Sequence, residues 1–195
     1  MERQNNVRKL VTVGVLSSIS FILMMLDFPL PGIPPYLKID FSEVPALIAA
    51  IVFGPAAGIT VEAIKNILHY FFMSSAVGVP VGQAANFIAG LLFILPVSYI
   101  YRKYNSKTGL TFGLIVGTIV MTLMMAVLNM FIILPAYTMF LGYPAMSNLE
   151  TMKLIAVAFM PFNLIKGGVI TIVFLLLFTR MRTWLEQQQR ALHNA

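Results

Sequence analysis

Met160-Pro161-Phe162-Asn163-Leu164-Ile165-Lys166-Gly167-Gly168 sets a carboxamide and an ammonium one helical turn apart, in a run from Leu154 to Thr179 that carries no other charge. A stretch this long and apolar is a membrane span. A lysine at bilayer depth costs roughly 2.5–3.5 kcal/mol to insert, so it faces protein or a hydrated cavity rather than lipid. These nine residues thus name the solvent of the fold and the place to look for its function.

The rest of the chain agrees. Of 195 residues, 59% are hydrophobic and 10% charged, and the mean hydropathy is +0.88, far from the balance of a water-soluble domain. The length supplies about six helices of roughly 20 residues, so we read residues 1–195 as one all-α membrane domain. The chain has no cysteine, which removes disulfides, thiolate metal sites and cysteine nucleophiles. G-x-x-x-x-G-K-[ST], H-E-x-x-H and G-x-S-x-G are all missing, so no metal, cofactor or ATP site is expected in the chain itself. The net charge of +6 forms no basic patch interleaved with aromatics and does not point to nucleic acid. Val11 to Leu26 follows Arg3, Arg8 and Lys9 like a signal peptide, but no small-residue cleavage site follows, and the run is kept as the first span.

Spans are expected at about 8–27, 43–53, 55–73, 82–101, 110–135 and 153–181. Phe53-Gly54-Pro55 makes the turn between the second and third, with Gly at a helix end and Pro at a helix start. An even number of crossings puts both termini on one side. Arg3, Arg8, Lys9, Arg102, Lys103, Lys107, Arg180, Arg182 and Arg190 fall on that side, against Lys38 and Lys153 in loops on the other. Nine against two makes the terminal side cytoplasmic. The second span is short, since eleven residues rise roughly 16 Å against a hydrocarbon core of about 30 Å. The long Pro-rich first extracellular loop, Phe28 to Ser42, must cover the remaining depth in irregular form, which survives only beside protein or a cavity. It reads as a stiff lid or a plain re-entrant connector, and Ser42 or Asp40 can cap the helix after it.

Counting the rise per residue brings Glu43, Gln83, Asn86, Asn129, Asn163 and Lys166 to one level in the outer leaflet. Amides both donate and accept, a lysine donates, and a carboxylate accepts from hydroxyls. Set among Phe, Tyr, Leu and Met, these groups suit a small polar molecule with a flat ring. Glu62, Lys65, Asn66 and His69 share one face of the third helix, where an internal Glu62–Lys65 ion pair is the plain account. Lys166 has no acidic partner on its own helix. Gly109, Gly113 and Gly117 read as internal close packing, whereas Gly14 and Ser18 on the first helix leave room for an external partner.

With Pro35-Tyr36-Leu37-Lys38-Ile39-Asp40-Phe41-Ser42-Glu43-Val44-Pro45, the Lys65-Asn66 pair and Asn163-Leu-Ile-Lys166-Gly167, nearly the whole chain resembles the substrate-binding S components of energy-coupling factor vitamin transporters, the riboflavin-specific members in particular. The resemblance implies a six-helix riboflavin-binding subunit that captures the vitamin at the outer face and is not an enzyme. It places Glu43, Asn129, Asn163 and Lys166 on the ligand's polar atoms, with the backbone near Leu37, and Asn86 on the same level joins them. It also implies docking through small residues of the first helix onto a membrane T component that carries two ATPases. Those residues are usually alanines, and here Gly14 and Ser18 stand in their place, with Ser17 beside them. The competing readings are an S component for another vitamin, an intramembrane enzyme using Glu62 and His69, and a facilitator that needs no ATPase.

Overall fold

Six continuous helical stretches make up a computed structural model that describes residues 2–73 and 79–193, with side chains described over 7–73 and 79–181. They are α1 (Glu2–Met25), α2 (Glu43–Phe53), α3 (Pro55–Met73), α4 (Val81–Tyr104), α5 (Lys107–Leu141) and α6 (148–193). Four of them, α1, α4, α5 and α6, are long and apolar enough to cross a membrane. The side chains of Arg3, Arg182 and Arg190 lie outside the described residues.

The bounds of α2 and α3 are those expected from the sequence. The last two helices are longer than expected. α6 starts early because Ser147 and Glu150 form a capping box, with Glu150 Oε2 accepting from the Ser147 amide at 2.8 Å, which satisfies two end groups at once. Lys153 therefore sits in a helix rather than in a loop.

Loop 1 corrects the all-α expectation in one detail. Phe28–Pro29 (β1) pairs antiparallel with Lys38–Ile39 (β2). Backbone groups of an otherwise irregular segment must find partners, and the strand alternation turns Ile39 inward and Lys38 outward. The exposed Lys38 ammonium lies 3.0 Å from Asp27 at the end of α1, so the hairpin is clipped where it begins.

α2 lies at the centre of the bundle. Every residue from Glu43 to Val52 is buried, against α1, α3, α4 and α6, as expected of a helix that is hydrophobic all round. Gly54 ends it at φ +99°, a conformation that L side chains rarely adopt. A Cβ added to Gly117 would stand 2.7 Å from the Phe93 carbonyl, so α5 packs on α4 backbone to backbone through the glycine row. On α1, Gly14 and Ser18 lie on the exposed face beside Leu10, Val11, Val15 and Ile22, while Ser17 is buried and donates to the Val13 carbonyl at 2.8 Å.

Candidate functional site

Loop 1, α4, α5 and α6 meet around a cavity at the end of the bundle opposite Gly54. Its walls include Tyr36, Leu37 and Lys38 of the loop and Asn86 of α4. α5 contributes Met125, Asn129 and Tyr137, and α6 contributes Phe159, Phe162, Asn163 and Lys166. Of the residues singled out from the sequence for binding, Leu37, Asn86, Asn129, Asn163 and Lys166 are brought together here. Glu43 is not on the wall. It lies behind Lys166, with its Oε1 2.8 Å from the Lys166 Nζ.

Two π turns shape this cavity. Asn129–Ile133 interrupts α5 and Ile155–Phe159 interrupts α6. Each inserts an extra residue into the helical repeat, a device that recurs at functional sites. Asn129 and Ile133 bound the first turn and Phe159 ends the second, and all three face the cavity. The Asn129 carboxamide donates to the Met125 carbonyl at 2.7 Å, which turns its oxygen free. The oxygens of Asn86 and Asn129 are both buried with no hydrogen-bond partner among the described residues. A buried carbonyl left unpaired costs about 1–3 kcal/mol, so this wall is polar in a way that a donor-bearing ligand would satisfy.

Lys166 does find acids, on other elements. Its Nζ donates to Asp40 Oδ2 at 3.1 Å and pairs with Glu43 Oε1. The role of Asp40 was legible only as a helix cap. In the fold it does not cap α2: its Oδ1 accepts from the Ser42 amide at 2.8 Å and closes the turn that leads into the helix. The missed signal was the lysine itself: an ammonium at this depth demands a carboxylate, and the chain offers only seven acids. Ser42 does not cap through its side chain. Its hydroxyl accepts from Lys65 Nζ at 2.7 Å, and its carbonyl accepts from Ser20 of α1 at 2.6 Å.

Glu62 and Lys65 form the expected pair on α3, 2.9 Å apart and fully buried. Gly90 of α4 makes room for the Glu62 carboxylate, which occupies the space a Cβ there would need. His69 is half-buried and shares a 3.4 Å hydrogen bond with Gln83. Seven residues along one helix set Glu62 and His69 roughly 10 Å apart, and neither lines the cavity. With Glu62 committed to Lys65 and neither group on the cavity wall, no catalytic pair is assembled there among the described residues.

The comparisons with known proteins agree with this architecture. Residues 8–178 match the family described as the substrate-specific component of ECF transporters. The chain is 56% identical over 185 residues to the riboflavin transporter FmnP of Bacillus subtilis, covering 95% of this chain and 97% of that protein. It is 45% identical over 181 residues to the riboflavin transporter RibU of Staphylococcus aureus, covering 92% and 93%. A solved structure of the S component of a bacterial ECF transporter superposes with a TM-score of 0.79 at 43% identity, covering 92% of this chain and 98% of that one. A sequence with this family match, a bundle of apolar helices and a polar cavity under loop 1 belongs to the substrate-specific components of ECF transporters, multi-pass proteins of the cell membrane.

Proposed function

We propose that this chain is the riboflavin-binding subunit of an ATP-driven importer. It takes the vitamin from outside the cell and releases it inward when docked on a membrane T component with two cytoplasmic ATPases. The observation that carries the reading is the cavity wall, where Asn86 and Asn129 leave two buried oxygens without donors and Lys166 and Asn163 supply donors beside them. Riboflavin is a flat heterocycle with acceptors and an N–H on one edge and a hydroxylated tail. Its ring would pack against Tyr36, Phe159 and Tyr137, and its polar atoms would meet Asn86, Asn129, Asn163, Lys166 and the backbone at Leu37. Glu43 acts through Lys166. The names of the relatives point to the same ligand.

At about 130 Å³ the cavity is smaller than the roughly 300–1,000 Å³ of sites that enclose drug-sized ligands. Admission of a tricyclic ring therefore needs the walls to part, and in this reading loop 1, clipped as a hairpin, is the element that moves.

The test is direct, because flavin is coloured and fluorescent. The purified chain is expected to quench riboflavin fluorescence at one equivalent with no ATP present, and to hydrolyse no ATP until the T component and ATPases are added. Binding of thiamine, folate or pantothenate in place of riboflavin would keep the family and replace the ligand. Transport in liposomes by the chain alone would favour the facilitator.

For topology, we propose six crossings with both termini cytoplasmic and loop 1 outside, on the strength of the nine-to-two charge bias. A tag at Glu2 or Ala195 is then reachable only after the cells are opened, and a label near Ser147 is reachable in intact cells. Labelling of either terminus in intact cells overturns the arrangement.

A further inference from the structure

Lys65 touches no part of the cavity and is fully buried, yet its ammonium and that of Lys166 share one oxygen. Glu43 Oε1 lies 2.8 Å from Lys166 Nζ and 3.6 Å from Lys65 Nζ. An ammonium has three N–H groups. Lys65 Nζ donates to the Ser42 hydroxyl at 2.7 Å and is ion-paired with Glu62 Oε1 at 2.9 Å and, at longer range, with the Glu43 oxygen. Lys166 has two acid partners, Asp40 and Glu43, which leaves one N–H for the cavity it lines. We infer that Lys65 is a positioning residue for ligand binding, acting through Glu43 and Ser42 to hold Lys166 with that third N–H free to reach the ligand.

Two opposing pulls act on the acids. Lys65 draws the Glu43 carboxylate toward α3 and fastens Ser42, whose amide in turn holds Asp40. Without Lys65, both acids would be governed by Lys166 alone. The carboxylates would close around that ammonium, and charge-assisted bonds are strong enough to redirect a flexible side chain. The ligand would lose a donor although no residue of the wall had changed. This inference rests on the binding role proposed above for Lys166.

Replacing Lys65 alone leaves Glu62 as a buried unpaired charge and risks the fold. The informative variant is Glu62→Gln/Lys65→Met, which removes one charge of each sign and keeps the formal charge of the cluster. Riboflavin affinity of this double variant, read by fluorescence quenching, is expected to fall by about tenfold or more, while Glu62→Gln alone has a much smaller effect. In a Lys166→Met background the double change is expected to add no further loss, because its effect passes through Lys166. Wild-type affinity in the double variant overturns the inference, and so does an equal loss with and without Lys166, which would mark Lys65 as structural only. A second readout needs no ligand: the side-chain nitrogen resonance of Lys166 in isotope-labelled protein should shift in the double variant and stay near its wild-type position in Glu62→Gln. If the wild-type chain does not bind riboflavin, the functional reading fails, and this resonance still decides whether Lys65 controls Lys166.

Discussion

Lys166→Ala is expected to lower riboflavin affinity by roughly ten- to a hundredfold or more, the worth of a hydrogen bond to a charged group at about 1.5–3 kcal/mol. The same change strips Asp40 and Glu43 of their shared cation. Removing one member of a buried ionic cluster costs about 3–5 kcal/mol, so the thermal midpoint falls as well. Asn163→Ala separates the two effects. Asn163 lines the cavity and belongs to no ion pair among the described residues, so binding weakens while the midpoint changes little. Titration calorimetry and thermal unfolding in detergent read both quantities. Wild-type affinity in both variants would remove α6 from the site.

Gly14→Leu is expected to abolish riboflavin uptake by whole cells while the purified chain binds with unchanged affinity. Among the described residues a Cβ at Gly14 meets nothing within 4 Å, so the larger side chain fits this chain's own packing. It projects instead from the exposed face of α1, where Leu10, Val11, Val15 and Ile22 already point outward. Small residues permit close helix approach in a membrane, and a leucine between two helices forbids it. Ser18→Leu, one turn on, is expected to behave alike, and in both variants the T component should no longer co-purify. Parallel loss of binding and uptake would show that α1 serves the internal fold, and the docking proposal would fail.

Lys166 and Asn163 were visible in the sequence because polarity in a long apolar run has few explanations, and the same reasoning placed Asn86 and Asn129 at their level. The bounds of α2 and α3 followed from Gly54-Pro55, a local signal. Asp40 was not legible as the partner of Lys166 because 126 positions separate them and only the packing of loop 1 on α6 brings them together. Glu43 was expected on the same level, and in the fold it stands behind Lys166 rather than on the cavity wall. Depth follows from counting residues along a helix, but which atoms face a cavity depends on neighbours the count does not include. The two π turns left no mark for a related reason. An extra residue in one turn shifts the apolar stripe by about a quarter of a circle, and stripes are hard to see in helices that are apolar on nearly every face.

The burial of α2 on all sides bears on how the protein is made. At 11 residues the segment is too short to partition into lipid by itself, and its neighbour α3 carries Glu62 and Lys65, which the insertion machinery reads as penalties. The four long helices meet the length requirement without help. By length and charge alone, the α2–α3 hairpin is expected to settle in the bilayer after the long helices. Until Lys65 and Lys166 find their acids, the nascent chain holds unpaired charge at the membrane, where such groups are costly. Variants that weaken the ionic cluster should then reveal themselves first as low abundance in the cell, before any defect in transport is measured.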